Sequence, residues 1–170
     1  MENIFNISAI GVIRKSDQKA WIEVNDTYKD AMLGLDGFSH IHVLYWFHEN
    51  DTPQLRAVRQ VHPRRDSHNP LTGIFATHSP MRPNLIALAL CRITAIRDMV
   101  IELEDIDARD GSPLIDIKCY IPYDNIPDIR LPDWVNNTHD TEPASIGTVT
   151  STGGYPRTDC HASPDGIGRQ

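Results

Sequence analysis

The sequence predicts an all-β domain, a small barrel or sandwich. Short apolar runs recur at close spacing, 12 prolines and 10 glycines punctuate them, and few segments show the 3.6-residue periodicity of an amphipathic helix. No GxGxxG run follows a strand-like segment, so a Rossmann-type nucleotide site is not expected.

Taken in order, Ile4, Ile10, Val12 and Ile13 suggest a first strand. Residues 20–24 (AWIEV) alternate in polarity and predict a second. Residues 28–33 follow Asn25-Asp26-Thr27 and predict a short helix, capped by Asp26 or Thr27 and ended by Gly34 and Gly37. The run at 39–48 (SHIHVLYWFH) is too apolar on both faces for an outer edge and predicts a central strand. Residues 50–71, with Pro53, Pro63 and Pro70, predict a long arginine-rich loop with a helical turn near 55–61; loops of this length usually carry function. Dense β segments follow at 72–77, 85–96 and 99–104, and a last strand at 114–120 lies beyond the turn Asp110-Gly111-Ser112-Pro113.

Composition bounds the function. With 170 residues, 40% hydrophobic and 23% charged, the chain suits one globular domain, taken as residues 1–135. Residues 136–170 are rich in Ser, Thr, Gly, Pro and Asp and read as a low-complexity, flexible tail. No apolar run approaches the length of a membrane span, and the N-terminus lacks a basic region before an apolar stretch, so a cytoplasmic protein is expected. Cys91, Cys119 and Cys160 are widely spaced and read as reduced thiols.

The net charge of -7 conceals an asymmetry. Residues 52–97 hold seven arginines and one acid, Asp66, for +6; residues 98–133 hold ten acids against three basic residues, for -7. Such a balance argues against general nucleic-acid affinity but leaves one local basic face.

Polar and charged residues concentrate beside strand ends at 47–51, 61–65, 73–84 and 106–113, where the loops of a barrel gather at a mouth. Six of the eight histidines lie between His40 and His78, yet the His40/His42 pair offers at most two ligands, and no metal site is expected. In Ser79-Pro80-Met81-Arg82-Pro83-Asn84, two prolines restrict the backbone around Arg82, and Asn84 supplies a donor and an acceptor; this reads as a binding loop. Asp107 and Asp110, flanking Arg109 before Gly111, suit either a plain turn or a corner that presents a carboxylate and amides to a polar ligand.

Several of these motifs, namely Gly11-Val12-Ile13-Arg14, Gly37-Phe38-Ser39-His40, Val61-His62-Pro63-Arg64, residues 69–77, Ser79-Pro80 with Arg82-Pro83-Asn84, and residues 110–118, resemble the TrmO (TsaA-like, YaeB-like) family over residues 7–135. The resemblance implies a single-sheeted β-barrel that binds S-adenosylmethionine and pairs as a homodimer with cofactor near the interface. It further implies methylation of N6 in threonylcarbamoyladenosine of tRNA. By motif the resemblance marks His48, Glu49, Arg82, Leu90, Arg92, Ala108, Arg109, Asp110 and Gly111 as cofactor contacts; Phe75, Thr77 and Asn84 in the binding-loop region join the cofactor set, and His48, Glu49 and His78 are the residues that could serve as catalytic base. His78 stands where the family usually carries arginine, Leu85 where it carries proline, Ala87 where it carries glycine, and Cys119 where it carries proline. An imidazole thus replaces a fixed guanidinium fork beside the cofactor loop. Two other outcomes stay open: cyclisation of the methionine moiety to 1-aminocyclopropane-1-carboxylate with release of methylthioadenosine, a lyase reaction without tRNA, and an inactive cofactor-binding module.

Overall fold

A computed structural model describes residues 3–122 and 129–136. In chain order the strands are β1 (Gly11–Lys15), β2 (Ala20–Val24), β3 (His40–Trp46), β4 (Gln60–Val61), β5 (Thr72–Gly73), β6 (Ile86–Arg97), β7 (Val100–Leu103) and β8 (Pro113–Cys119), with short helices α1 (Pro53–Arg56) and α2 (Asp133–Asn136). Six strands close one antiparallel barrel in the order β1-β2-β7-β6-β3-β8, and β4 and β5 pair as a separate ribbon. The expectation of a single-sheeted barrel holds.

Period-two alternation builds the core. Ile13, Ile22, Ile41, Val43, Ile101 and Leu114 are fully buried, and Tyr45, Ala87 and Cys91 nearly so, each one step of the pleat from an outward neighbour. Burial of side chains of this size stabilises the fold by roughly 1.5–3 kcal/mol each. The expected central strand β3 lies between β6 and β8, and its buried face is Ile41, Val43 and Tyr45. The opposite face, His40, His42, Leu44 and Trp46, is only partly covered, so the strand is not buried on both sides as its composition suggests. A register shift against β8 between Leu44 and Tyr45 marks a bulge near the end of the strand.

The closing pair is short. β1 and β8 match only at Gly11 with Leu114 and Val12 with Pro113. Flanking bonds extend the seam: the amides of Ile10 and Ile13 donate to the carbonyls of Leu114 and Ser112 at 2.9 and 2.8 Å, and the Gly111 amide donates to Ile13 at 2.9 Å. Gly11 is required here, because a Cβ would stand 2.3 Å from the Glu23 carbonyl oxygen on β2.

Four local expectations are corrected. Ile4 is 86% exposed and outside any strand, since β1 begins at Gly11. Only Thr72–Gly73 of the expected 72–77 strand pairs, because the Ile74 amide bonds to the Arg59 carbonyl and the chain then turns through a 3-10 turn, Ile74–Ala76, that buries Ile74. The expected helix at 28–33 is instead a kinked 3-10 segment, Asp26–Met32, preceded by Asn25, whose side chain makes no capping bond; neither Asp26 nor Thr27 occupies the cap position. The helical turn expected near 55–61 starts earlier, as α1, where Thr52 Oγ1 accepts from the Leu55 amide at 3.3 Å. The tail expected beyond residue 136 lies outside the described residues.

Gly11→Ala should lower stability by about 1–3 kcal/mol in equilibrium chemical denaturation, since the clash is with backbone that cannot move without opening the seam. An unchanged midpoint would show that the seam tolerates a side chain.

Candidate functional site

The ends of β3 and β6, the long excursion between them, and the β7–β8 connection meet at one mouth of the barrel. They enclose a cleft of about 310 Å³. Tyr45 and Phe47 come from the end of β3, Phe75, Thr77, His78 and Arg82 from the excursion, Ile86 to Ala89 from the start of β6, and Asp107 from the β7–β8 connection.

Local bonds fix the excursion. The Thr77 hydroxyl donates to the Ile74 carbonyl at 2.9 Å and accepts from the Ser79 amide at 3.3 Å, and the Ser79 hydroxyl accepts from the Met81 amide at 3.3 Å. These successive hydroxyl-centred turns carry the chain to Arg82. On the far side, Arg56 Nη1 donates to the Pro83 carbonyl at 3.0 Å, while Arg56 Nε pairs with Asp51 at 2.7 Å. The Arg56 side-chain hydrogen bond holds the Asp51 carboxyl below the usual range, with Trp46 Nε1 adding a second bond at 3.0 Å.

The 105–112 segment is stitched to two strands. Lys15 Nζ meets Asp105 at 2.9 Å and donates to the Ile106 carbonyl, and the Lys15 amide donates to Asp110 Oδ1 at 3.0 Å. The Lys15 hydrogen bond, then one from the Ile106 amide, pulls the Asp105 pKa down. From inside the barrel, the Tyr45 hydroxyl donates to the Asp107 carbonyl. Burial, with the Asp107 charge second, pushes the Tyr45 phenol up to about 12. Gly111 sits at φ +78, a left-handed conformation suited to glycine, as the chain turns into β8.

The sequence-marked residues fall into three places. Phe75, Thr77, His78 and Arg82 line the cleft together. His48 and Glu49 do not line it: they bond to the 105–112 segment, His48 Nδ1 to Ser112 Oγ at 3.3 Å and Glu49 to Arg109 at 3.5 Å. Arg109, Asp110 and Gly111 lie in that same segment outside the cleft wall, and Ala108 packs against the core. Asn84 is exposed beyond Arg82 and is not a lining residue. Leu90 and Arg92 are further along β6 on its outward face, opposite His42 and His40, with Leu90 53% exposed and Arg92 at 3.8 Å from Glu104. The cleft residues absent from the sequence-derived set are Tyr45, Phe47, Ile86 to Ala89 and Asp107. Asp107 had a visible signal as half of the Asp107/Asp110 turn, whereas nothing local distinguishes Tyr45 from the aromatic run around it.

The arrangement is amphipathic. Phe47, Phe75 and Leu88 offer apolar surface, and Arg82, His78, Thr77 and Asp107 offer a cation, an imidazole, a hydroxyl and a carboxylate. This suits a nucleoside-sized ligand with an aromatic base at one end and charged groups at the other. Among the described residues, no three His, Cys, Asp or Glu side chains are grouped to hold a metal ion.

Residues 11–125 match the model of the tRNA-methyltransferase O N-terminal domain, which spans every strand of the barrel and every residue of the cleft. The chain belongs to that family. Relatives of the TrmO domain agree. A probable S-adenosyl-L-methionine-binding protein of Pyrococcus horikoshii is 41% identical, covering 68% of this chain and 82% of the relative. The tRNA (adenine(37)-N6)-methyltransferase of Escherichia coli K12 is 33% identical, covering 84% of this chain and 60% of the enzyme. The crystal structure of TrmO from Pseudomonas aeruginosa superposes with a TM-score of 0.58 at 28% identity, covering 75% of this chain and 61% of that one. The chain therefore spans less than two thirds of the two named TrmO enzymes. Among the described residues, no helix is long and apolar enough to cross a membrane.

Tyr45 has a measurable alkaline signature. Its folded pKa is raised from 10 to about 12, so the stability linked to the neutral phenol is complete below pH 10 and is lost as pH climbs through 12. Tyr45→Phe should remove this share, on the order of 2 kcal/mol, from the stability lost between pH 10 and 12 in denaturation experiments. An identical alkaline profile in the variant would refute the buried phenol.

Proposed function

We propose that the chain is an S-adenosylmethionine-dependent methyltransferase of the TrmO type, acting on the N6 position of an adenine in tRNA, with threonylcarbamoyladenosine as the acceptor. The observation that carries this reading is the cleft itself: an apolar, phenylalanine-bearing wall and Arg82 share one mouth, on the segment that defines the family. When bound, S-adenosylmethionine supplies an electrophilic methyl group on a sulfonium.

The residues divide the remaining work. Arg82 anchors the carboxylate of the methionine moiety by charge-assisted bonds, its backbone held by the prolines on either side. Phe47 and Phe75 cover the base and exclude water. Asp107, positioned by Tyr45, presents its carboxylate to the cation that binding brings into the cleft. His78 accepts the proton that the acceptor nitrogen loses as it gains the methyl group. His48 and Glu49 act as positioning residues, since their side chains hold Ser112 and Arg109. Arg109, Asp110 and Gly111, outside the cleft wall, brace the segment that carries Asp107 to the cofactor.

A homodimer belongs to the same reading. Leu88 lines the cleft and continues into Leu90 as an outward apolar stripe on β6, the two being 55% and 53% exposed. A second copy covering this stripe would bring Leu90 and Arg92 to the open side of the cleft, which accounts for two residues that the single chain leaves outside it. A cytoplasmic location follows from a tRNA substrate. The relatives named as methyltransferases favour methyl transfer over cyclisation or an inactive module.

Calorimetry with S-adenosylmethionine should show binding to the wild-type chain, weakened about 10–100-fold in Arg82→Ala. His78→Ala should keep that binding but lower the rate of methyl transfer to threonylcarbamoylated tRNA by about 10²–10⁴. Undiminished binding by Arg82→Ala would overturn the assigned anchor. Methylthioadenosine released without any acceptor would overturn methyl transfer.

A further inference from the structure

Outside the cleft, the most unusual backbone lies in the arginine-rich excursion. Arg64 and Arg65 are consecutive non-glycine residues in the left-handed region, at φ +57 and +60. Side chains rarely adopt that conformation because the Cβ crowds the following carbonyl. It persists where surrounding bonds over-determine it, and such positions concentrate at functional sites.

The surrounding bonds are present. Asn69, buried at 8% exposure, donates from Nδ2 to the Pro63 carbonyl at 3.0 Å, and its own carbonyl is 2.7 Å from His62 Nδ1. Amides of Arg65, Asp66 and Asn69 donate to His62, Pro63 and Asp66 carbonyls at 3.1, 3.2 and 3.1 Å. The loop is closed on itself around the buried Pro63 and Asn69, so the two arginines cannot relax independently.

The side chains then differ. Arg64 Nη2 donates to the Val135 carbonyl at 2.9 Å, which gives it an intramolecular role. Arg65 is exposed, and among the described residues its guanidinium has no hydrogen-bonding or ionic partner. The one acid of residues 52–97, Asp66, turns its carboxylate to its own neighbour: Oδ1 accepts from the His68 amide at 2.9 Å and lies 2.8 Å from His68 Nδ1. A strained backbone thus displays a cation that no described contact uses.

This cation is also wired to the cleft wall. Beyond the loop, Gln60 and Val61 pair with Gly73 and Thr72, and the Arg59 carbonyl accepts from the Ile74 amide at 2.9 Å, one residue before the cleft residue Phe75. Arg59 is exposed, and its guanidinium donates to the Arg56 and Val58 carbonyls at 2.8 and 3.2 Å, bonds that leave its charge unneutralised. Arg59 at the ribbon and Arg65 in the loop at its far end are thus joined through backbone pairing to the segment that carries Phe75 and, further on, Arg82.

We infer that Arg65 contacts the phosphate backbone of the RNA whose base enters the cleft, with Arg59 as a second contact nearer the site. The inference rests on the tRNA reading above. A mononucleotide in the cleft is too small to follow the ribbon, whereas a polynucleotide leaving the cleft meets successive cations along it. Arg65 is then a substrate-positioning residue: it sets affinity for the polymer and takes no part in methyl transfer.

The decisive variant is Arg65→Gly, which removes the guanidinium and accepts the left-handed backbone without strain. Binding of tRNA is measured across a KCl series, alongside calorimetry with S-adenosylmethionine and thermal unfolding. The variant should bind tRNA about 3–10-fold more weakly, and its plot of log K against log salt should be shallower by about one unit. Its affinity for S-adenosylmethionine should match the wild type, and its Tm should be equal or higher by about 2–4 °C. Arg65→Lys should recover the salt slope, because it restores the charge. Wild-type affinity and slope in Arg65→Gly would overturn the inference while leaving the methyltransferase reading in place. Failure of the wild-type chain to bind tRNA would overturn both, with the cofactor calorimetry showing whether the cleft reading survives.

Discussion

Everything at the mouth depends on the seam between β1 and β8. Two matched residue pairs and a few flanking amide bonds join them, and the backbone of β2 presses so closely on Gly11 that a methyl group has no room. The same seam sets the conformation of the 105–112 segment, because β1 supplies the Ile13 carbonyl, the Lys15 amide and the Lys15 ammonium that hold it. Closing the sheet and shaping the cleft are one structural event. The Tyr45 hydroxyl makes the complementary tie from inside the barrel, at the Asp107 carbonyl, so the 105–112 segment is held from two strands that are not neighbours in the sheet.

Charge is distributed along the chain in the way this division of labour requires. The excursion between β3 and β6 carries arginines, and the connection opposite it carries Asp105, Asp107 and Asp110. Two of these three acids bond to Lys15, and the third faces the cleft. The acidic excess of residues 98–133 is thus partly internal bracing at the mouth. An overall negative chain can in this way present a locally positive surface without contradiction.

What could be read from sequence followed period-two alternation. Residues 20–24 are strand β2 to the residue, and the run at 39–48 holds β3, because inward Ile41 and Val43 alternate with more exposed neighbours. Where an apolar residue buries itself by another route, the pattern misleads. Ile74 and Phe75 have the propensity of a strand, yet one plugs inward from a 3-10 turn and the other projects at 79% exposure into the cleft mouth. The proline-flanked Arg82 was legible since its restriction is local. Tyr45 was not, for its partner Asp107 is 62 residues away and no sequence spacing encodes that approach. Leu90 and Arg92 show the opposite case: the family resemblance marked them, but the isolated chain turns them outward along β6.

The circular pairing of strands also has a temporal meaning. Of the described strands β1 comes first in the chain and β8 last, and the 105–112 segment that they flank is tied to β1. Such end-to-end contacts form late, since joining distant segments must overcome a large loss of chain entropy before any enthalpy is recovered. A chain that stops before β8 lacks the strand that closes the barrel, so the seam beside the 105–112 segment forms only with that strand in place.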